Sequence, residues 1–471
     1  MQPWHSDNPA LAGAFAPVFD ERDDTDLPVE GALPAGLSGV FMRNGPNPQF
    51  EPGPGYAYPY DGTGMIHALY LDAGRARYRN RWVLTRELQE ERDAGRRLYN
   101  PTFGPPPQAN LANTNVLRHA GRIFALYEGG CPYVIDDTLA TLGPDAFQGR
   151  LAGAFSAHPK VDPLTGEMVA INYDLMAGTL EYLRLDASGQ VDRQVRFASP
   201  WPALVHDIGL TATHAVAFVC PLVFDFSRGP AAPAWEPKRG TQVLLVPRDC
   251  IDAAQIRWIE AAPFFNWHVA NACVEGDTIE AVMPWHDGFG PNSRKRLELH
   301  RLRIDLASGQ VDDQMLDDQP CEFGRVNDAW LGRRARYCYA GLRDPRPGET
   351  PQPGAFEAFA RYDLETGAKT VFRLPAGQTA CEPVFAADPA ANPAANPAAN
   401  PADPAVADEA DGYLLSFVHA ENDAGGRFIV LDARDLAAGP VATIRLPRRV
   451  PAGLHGSWMP APPAGADQAR R

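Results

Sequence analysis

A short phrase recurs along this chain: an alternating run, then Asp, then a turn that ends in Gly. It stands at Tyr70-Leu71-Asp72-Ala73-Gly74 and at Val161-Asp162-Pro163-Leu164-Thr165-Gly166. It returns at Leu185-Asp186-Ala187-Ser188-Gly189, Ile304-Asp305-Leu306-Ala307-Ser308-Gly309 and Tyr362-Asp363-Leu364-Glu365-Thr366-Gly367. Asp, Ser and Thr hydrogen-bond their own backbone in turns, and Gly supplies the positive φ that tight hairpins require. Each copy therefore reads as a hairpin between two strands of a meander. Residues 121–127, 241–246, 427–432 and 441–446 carry the β-branched and aromatic bias of strands. The 46 prolines and 42 glycines are spread along the whole chain, which favours many short strands over helices. Repeated meander hairpins over several hundred residues predict an all-β fold. A β-propeller leads, and the irregular spacing keeps a pair of β-sandwiches as the competitor.

The 471 residues are expected to form one domain, residues 1–471. Two stretches stand apart from the core. Residues 387–407 repeat Ala-Ala-Asn-Pro, and a proline every fourth residue forbids a continuous helix, so a flexible surface loop is expected there. Residues 460–471 read as a disordered tail. A net charge of −15 with no basic stripe argues against nucleic-acid binding. No run approaches the roughly 18 apolar residues of a membrane span. Seven scattered cysteines without a Cys-x-x-Cys pair, and a start that lacks a secretory signal, point to a reducing cytoplasmic setting.

Among eleven histidines, four lie in apolar company beside strands or turns, where an unpaired imidazole is costly. These are His158 before Pro159-Lys160, His206 in Val205-His206-Asp207-Ile208, His268 in Phe264-Phe265-Asn266-Trp267-His268-Val269, and His455 in Leu454-His455-Gly456-Ser457-Trp458. A shared metal would supply the missing partner, and neutral imidazole suits iron, zinc, copper or nickel. Their spacing does not show that they meet. A propeller, whose blades all point toward one axis, would allow it.

Longer motifs carry a resemblance. Phe41-Met-Arg-Asn-Gly-Pro-Asn-Pro48, Asp61-Gly-Thr-Gly-Met-Ile-His67, Ala112-Asn-Thr-Asn115 and Ala157-His-Pro-Lys-Val-Asp-Pro-Leu-Thr-Gly-Glu167 occur in order. They are followed by His206-Asp207, His268-Val-Ala-Asn-Ala272, Asp411-Gly-Tyr-Leu-Leu415 and Leu454-His-Gly456. From about residue 14 to 458 the chain resembles the carotenoid cleavage oxygenase family. That family includes carotenoid and apocarotenoid dioxygenases, the retinal pigment epithelium isomerase and lignostilbene dioxygenases.

The resemblance implies a seven-bladed β-propeller with a cap of loops and short helices over an axial iron site. It implies one Fe(2+) per chain held by His158, His206, His268 and His455, with O2 as cosubstrate. His67 falls in a matching motif but is not expected to be a ligand. Glu128, Glu322 and Glu382 match the glutamates that fix metal-bound imidazoles. Glu128 is expected to hold His206, Glu322 to hold His268 and Glu382 to hold His455. The implied reaction is cleavage of a carbon–carbon double bond by O2 to aldehyde or ketone products. The stilbene-cleaving branch carries Lys just before the first of these glutamates; this chain has Tyr127. A carotenoid or apocarotenoid substrate is therefore expected ahead of a stilbene or phenylpropene, with a non-catalytic binding module as the other alternative. Tyr99, Phe103, Tyr127, Phe155, Phe264, Phe265 and Trp267 are the candidate substrate contacts. The run Pro221-Leu-Val-Phe-Asp-Phe226 is a candidate apolar entrance patch for peripheral membrane contact.

Overall fold

A computed structural model describes the chain except for residues 1–3, 5, 54–55, 57–58, 101, 103–105, 227–232, 290–296, 348–353, 389–407, 421–424 and 462–471. All five Asp-to-Gly phrases close antiparallel hairpins. In four of them the Asp carboxylate accepts the backbone N–H two residues on, at 2.8–3.1 Å. The terminal glycines, Gly74, Gly166, Gly189, Gly309 and Gly367, all have φ between 72° and 81°. A side chain is disfavoured in that left-handed region.

The described residues form seven antiparallel sheets of four or more strands, the blades of a β-propeller. The first blade holds Gly39–Pro46, Gly64–Asp72 and Arg75–Trp82. Blades two to six begin with Asn115–His119, Lys160–Val161, Gly209–Leu210, Asn271–Glu275 and Cys321–Arg325. The seventh begins with Gln378–Ala380 and Val384–Ala387. The first strands of blades four and five pack side by side, and Gly456–Pro460 packs against those of blades two and seven.

The ring is closed twice. Gly456–Pro460, from the end of the chain, pairs with Gly39–Pro46 as the inner strand of blade one. Val29–Gly31, from near the start, pairs with Pro440–Leu446 on the outer edge of blade seven. Both closures consume sheet edges that would otherwise be open to other chains. Between these blades Phe41, Phe417 and Phe428 meet edge to face at 5.1–5.5 Å. All three are about 1% exposed or less. Cutting such a ring to Ala costs about 3–5 kcal/mol.

Pro460 belongs to the closing strand rather than to a tail, because its backbone faces Gly39. Ala387 likewise ends a strand, paired to Gly412, rather than opening the expected loop. Asp388 and Ala461 are held by backbone bonds to Asp411 O and Ser38 O, and residues 389–407 and 462–471 lie outside the described residues. Only one α-helix, Arg86–Ala94, occurs among the described residues. Thr85 caps it by accepting the Leu88 N–H at 3.2 Å, and Gly95 ends it at φ 67°. No described helix is long and apolar enough to cross a membrane.

Candidate metal centre

Each of four blades places a histidine one to three residues ahead of its axial strand: His158, His206, His268 and His455. Local bonds fix these loops. The Ala157 carbonyl accepts from Asn115 Nδ2 at 2.8 Å, and Pro159 holds His158 in extended backbone. The His455 N–H donates to the Thr114 carbonyl at 3.1 Å, and the Leu454 N–H donates to Asn44 O at 2.9 Å. Asp207 ties three of the loops together. It accepts from the Ile208 and Val269 N–H groups at 2.7 and 2.8 Å and pairs with Lys160 Nζ at 2.7 Å.

One ring nitrogen from each of the four imidazoles lies within 4.8 Å of the others. Three of the rings turn the other nitrogen to a carboxylate. His206 Nδ1 meets Glu128 Oε2 at 2.8 Å, His268 Nδ1 meets Glu322 Oε2 at 2.6 Å, and His455 Nδ1 meets Glu382 Oε1 at 3.1 Å. Those contacts place the proton on Nδ1 and leave a lone pair on Nε2. The Nε2 atoms of His268 and His455 then face each other at 3.1 Å. His158 Nε2 is buried with no hydrogen-bond partner. Converging lone pairs repel unless a cation lies between them, so the donor set fits a metal ion. Neutral nitrogen donors of this kind suit first-row transition metals.

The electrostatics agree. Burial, followed by the other imidazoles, holds His158 well below the usual imidazole range. Burial also pushes His455 down to about 4. At His206 burial works in the same direction, but Glu128 more than offsets it and the value is raised. Glu382 is opposed by burial, yet Arg325 at 3.2 Å and His455 bring it down to about 2. Glu322 is held below the carboxylate range by His268 and His286, which outweigh burial.

Several of these positions have no advance signal in the sequence. His286 Nε2 lies 3.3 Å from Glu322 Oε1, so that glutamate is held between two imidazoles. Arg325 braces Glu382 from behind. Phe323 has φ 56°, at a register break between Glu322 and Arg325. Bulges of this kind re-aim side chains beside functional sites. The Phe323 ring thereby sits 5.1 and 4.9 Å from those of His268 and His455.

A cavity of about 2010 Å³ opens onto the imidazoles of His206, His268 and His455. Tyr127 and Trp267 line it. The Trp267 ring is 5.1 Å from that of His206, and Tyr127 OH is 3.1 Å from Thr102 Oγ1. Thr102 Oγ1 donates in turn to Asp61. Phe155, Phe264 and Phe265 are instead packed in the core, 1–2% exposed, and are not wall residues. Phe155 meets Phe147 at 5.0 Å, Phe264 meets Phe218 at 5.5 Å, and Phe265 backs Trp267 at 4.8 Å. Tyr99 lies on the outer side, bonded to Glu90, away from the cavity wall. Phe103 is outside the described residues. His67 is remote from the cluster and bonds Tyr78 OH at 2.7 Å. In the run 221–226, Leu222–Phe224 is a buried strand, whereas Phe226 is 36% exposed and reaches the cavity rim.

Comparison with known proteins places the site in context. The profile of the family described as "Retinal pigment epithelial membrane protein" matches residues 15–460. The chain is 30% identical to a carotenoid 9,10(9',10')-cleavage dioxygenase of Arabidopsis thaliana, over 95% of this chain and 89% of that protein. It is 29% identical to an isoeugenol monooxygenase of Pseudomonas nitroreducens, over 97% and 98% of the two chains. Among solved structures, the Pseudomonas brassicacearum lignostilbene dioxygenase aligns with a TM-score of 0.87 at 30% identity, covering 98% of this chain and all of that one. A cobalt-substituted apocarotenoid oxygenase of Synechocystis aligns at 0.82 and 28% identity, covering 95% and 98%.

Proposed function

This chain belongs to the retinal pigment epithelial membrane protein family, which includes the carotenoid cleavage oxygenases, and on that premise we propose that it is an Fe(II)-dependent dioxygenase that cleaves an alkene. The observation that carries the reading is the convergence of four imidazole nitrogens within 4.8 Å at the end of a large cavity. His158, His206, His268 and His455 would hold the iron, one ion per chain. Ferrous iron held there would supply the redox chemistry that brings O2 to reaction, and the overall reaction would turn one carbon–carbon double bond and O2 into two carbonyl products. Glu128, Glu322 and Glu382 keep the proton on Nδ1 of their histidines, so that Nε2 stays a donor. Phe323 and Trp267 shield the reacting end from water and offer flat faces to a conjugated substrate.

The preferred substrate is a carotenoid or apocarotenoid. Three observations support this. The cavity exceeds the 300–1,000 Å³ of ordinary small-molecule pockets. Its rim carries exposed apolar side chains, Leu142 at 66%, Met176 at 77% and Phe226 at 36%. Tyr127 stands where the stilbene branch has lysine. The same rim would suit uptake of a lipophilic substrate from a membrane surface, which vesicle co-sedimentation would test. A stilbene or phenylpropene is the second reading, because Tyr127 and the Thr102–Asp61 pair could receive a phenol.

Incubating the iron-loaded protein with an apocarotenal and with a hydroxystilbene, followed by absorbance and product mass, decides between them. Loss of the apocarotenal with release of two carbonyl fragments is expected, and rapid loss of the stilbene alone would overturn the preference. Iron content near zero after expression in iron-supplemented medium would sink the oxygenase reading in favour of a non-catalytic binding module.

A further inference from the structure

Among the described residues, three arginines line the cavity. Two are neutralised, Arg86 by Glu87 at 2.8 Å and Arg196 by Glu181 at 3.2 Å. Arg343 forms no ion pair with any described carboxylate. Its Nη1 is buried and has no hydrogen-bond partner. The nearest acid by field, Glu357, already accepts the Asp344 N–H at 2.8 Å.

The position of Arg343 is set by the blade that supplies Glu322. It follows directly on the strand Tyr337–Leu342, in which Gly341 pairs with Glu322 and Leu342 with Cys321. Its own N–H donates to Pro320 O at 2.8 Å. From there a line of aromatic contacts runs to the imidazoles. The guanidinium carbon is 5.3 Å from the Phe356 ring centre, and Phe356 is 5.4 Å from Phe323. Phe323 in turn is within 5.1 Å of two of the histidine rings. Arg343, Phe356, Phe323 and the imidazoles therefore share one wall of one cavity, with the cation at one end and the reacting centre at the other.

A guanidinium cannot shed its charge, and burying it without a counter-ion is costly. Burial acts against the charge of Arg343, and the fields of Glu357, Tyr60 and Glu322 do not cancel that effect. The face of Phe356 offers a cation–π contact but no acceptor for the N–H fork. The group that matches a planar fork with two parallel hydrogen bonds is a carboxylate.

We infer that Arg343 receives a carboxylate at the end of the substrate, which makes the substrate class a carboxylate-ended conjugated alkene lying along the Phe356–Phe323 wall. This rests on the alkene-cleaving reading above and names the class within it. The carboxylate could terminate a long polyene or an aromatic alkene.

The test uses two matched pairs: a polyene acid with its methyl ester, and a stilbene carboxylic acid with its methyl ester. Binding to the full-length iron-loaded protein is followed by quenching of tryptophan fluorescence, which does not require turnover, and kcat/KM is measured in parallel. The wild type is expected to bind at least one acid about tenfold or more tighter than its ester, the size of effect one charge-assisted hydrogen bond supplies. In R343M that preference disappears while ester binding and Tm stay as in wild type; R343K keeps part of it. Preference within the polyene pair or within the stilbene pair supports the inference and says which alkene carries the acid. Equal affinity of the wild type for acid and ester would overturn it, and so would equal losses of both in R343M, the mark of a merely structural arginine. Ester cleavage without any acid preference defeats the carboxylate site alone. Acid preference without cleavage of any of the four compounds upholds that site and defeats the reaction.

Discussion

Four blades of the propeller bring an imidazole to the axis, and the other three bring a carboxylate. Blades one, three, four and five carry His455, His158, His206 and His268; blades two, six and seven carry Glu128, Glu322 and Glu382. The two sets divide one task. Imidazoles present lone pairs to a common point, and carboxylates outside them hold the ring protons on the far nitrogen. The carboxylates are not equivalent. Their side chains are 22%, 10% and 3% exposed for Glu128, Glu322 and Glu382, and Glu382 is also braced by Arg325. His158 is the member of the first set without a carboxylate partner. Its loop is tied instead through Lys160 to Asp207.

The largest effect is expected from breaking the inner set. H268A removes a donor and leaves the buried Glu322 facing His286 alone, so iron content and alkene cleavage should both fall to background. Metal analysis that still finds the wild-type iron content would refute the ligand role. Next comes the best-buried carboxylate. E382Q is expected to weaken iron binding about 10–100-fold with the fold intact, as judged by circular dichroism. Unchanged occupancy and activity would remove Glu382 from its assigned role. E128Q should lie at the weak end of that range, near tenfold, because water can replace part of a partner that is about a fifth exposed. Equal losses in E128Q and E382Q would show that burial does not grade the three.

The smallest effect sharpens the comparison by contrast. Glu409 is a buried carboxylate whose partners among the described residues are backbone groups, the N–H groups of Arg336 and Tyr337 at 2.7 and 2.9 Å. Burial lifts it from 4.5 to about 7, whereas Glu382, beside the Arg325 guanidinium and the His455 N–H, goes down. With the folded value above the unfolded one, the folded chain binds the proton more tightly. That contribution to stability is complete below about 4.5 and is lost as pH rises through about 7. Tm measured from acid to neutral pH should show this decline in wild type and a shallower one in E409Q. Identical profiles would mean that Glu409 does not titrate in this window.

Much of the architecture was legible because it is local. The Asp-to-Gly phrases specify hairpins through bonds spanning two residues and through a backbone angle that Gly tolerates. Ring closure was not, since Val29–Gly31 and Gly456–Pro460 find partners at the opposite end of the chain. The aromatic run 264–267 shows the same limit at the site. Its three rings look alike in sequence, but only Trp267 turns to the cavity while Phe264 and Phe265 enter the core. Which side of a strand end faces a void depends on the neighbouring blade.

The sequence by itself determined that this chain is built of short β-hairpins and that four histidines stand in apolar surroundings without an obvious partner. Family motifs then supplied their expected convergence and the three glutamates behind them. Only the tertiary structure decided the distances at which the nitrogens meet, the grading of the carboxylates by burial, and the surroundings of Asp207, His286, Arg325, Phe323 and Arg343. The reason is physical: a hairpin is encoded by neighbours along the chain, whereas a site on the propeller axis is assembled from all seven blades. Each side chain there acquires its proton, its partner or its lack of one from residues tens to hundreds of positions away.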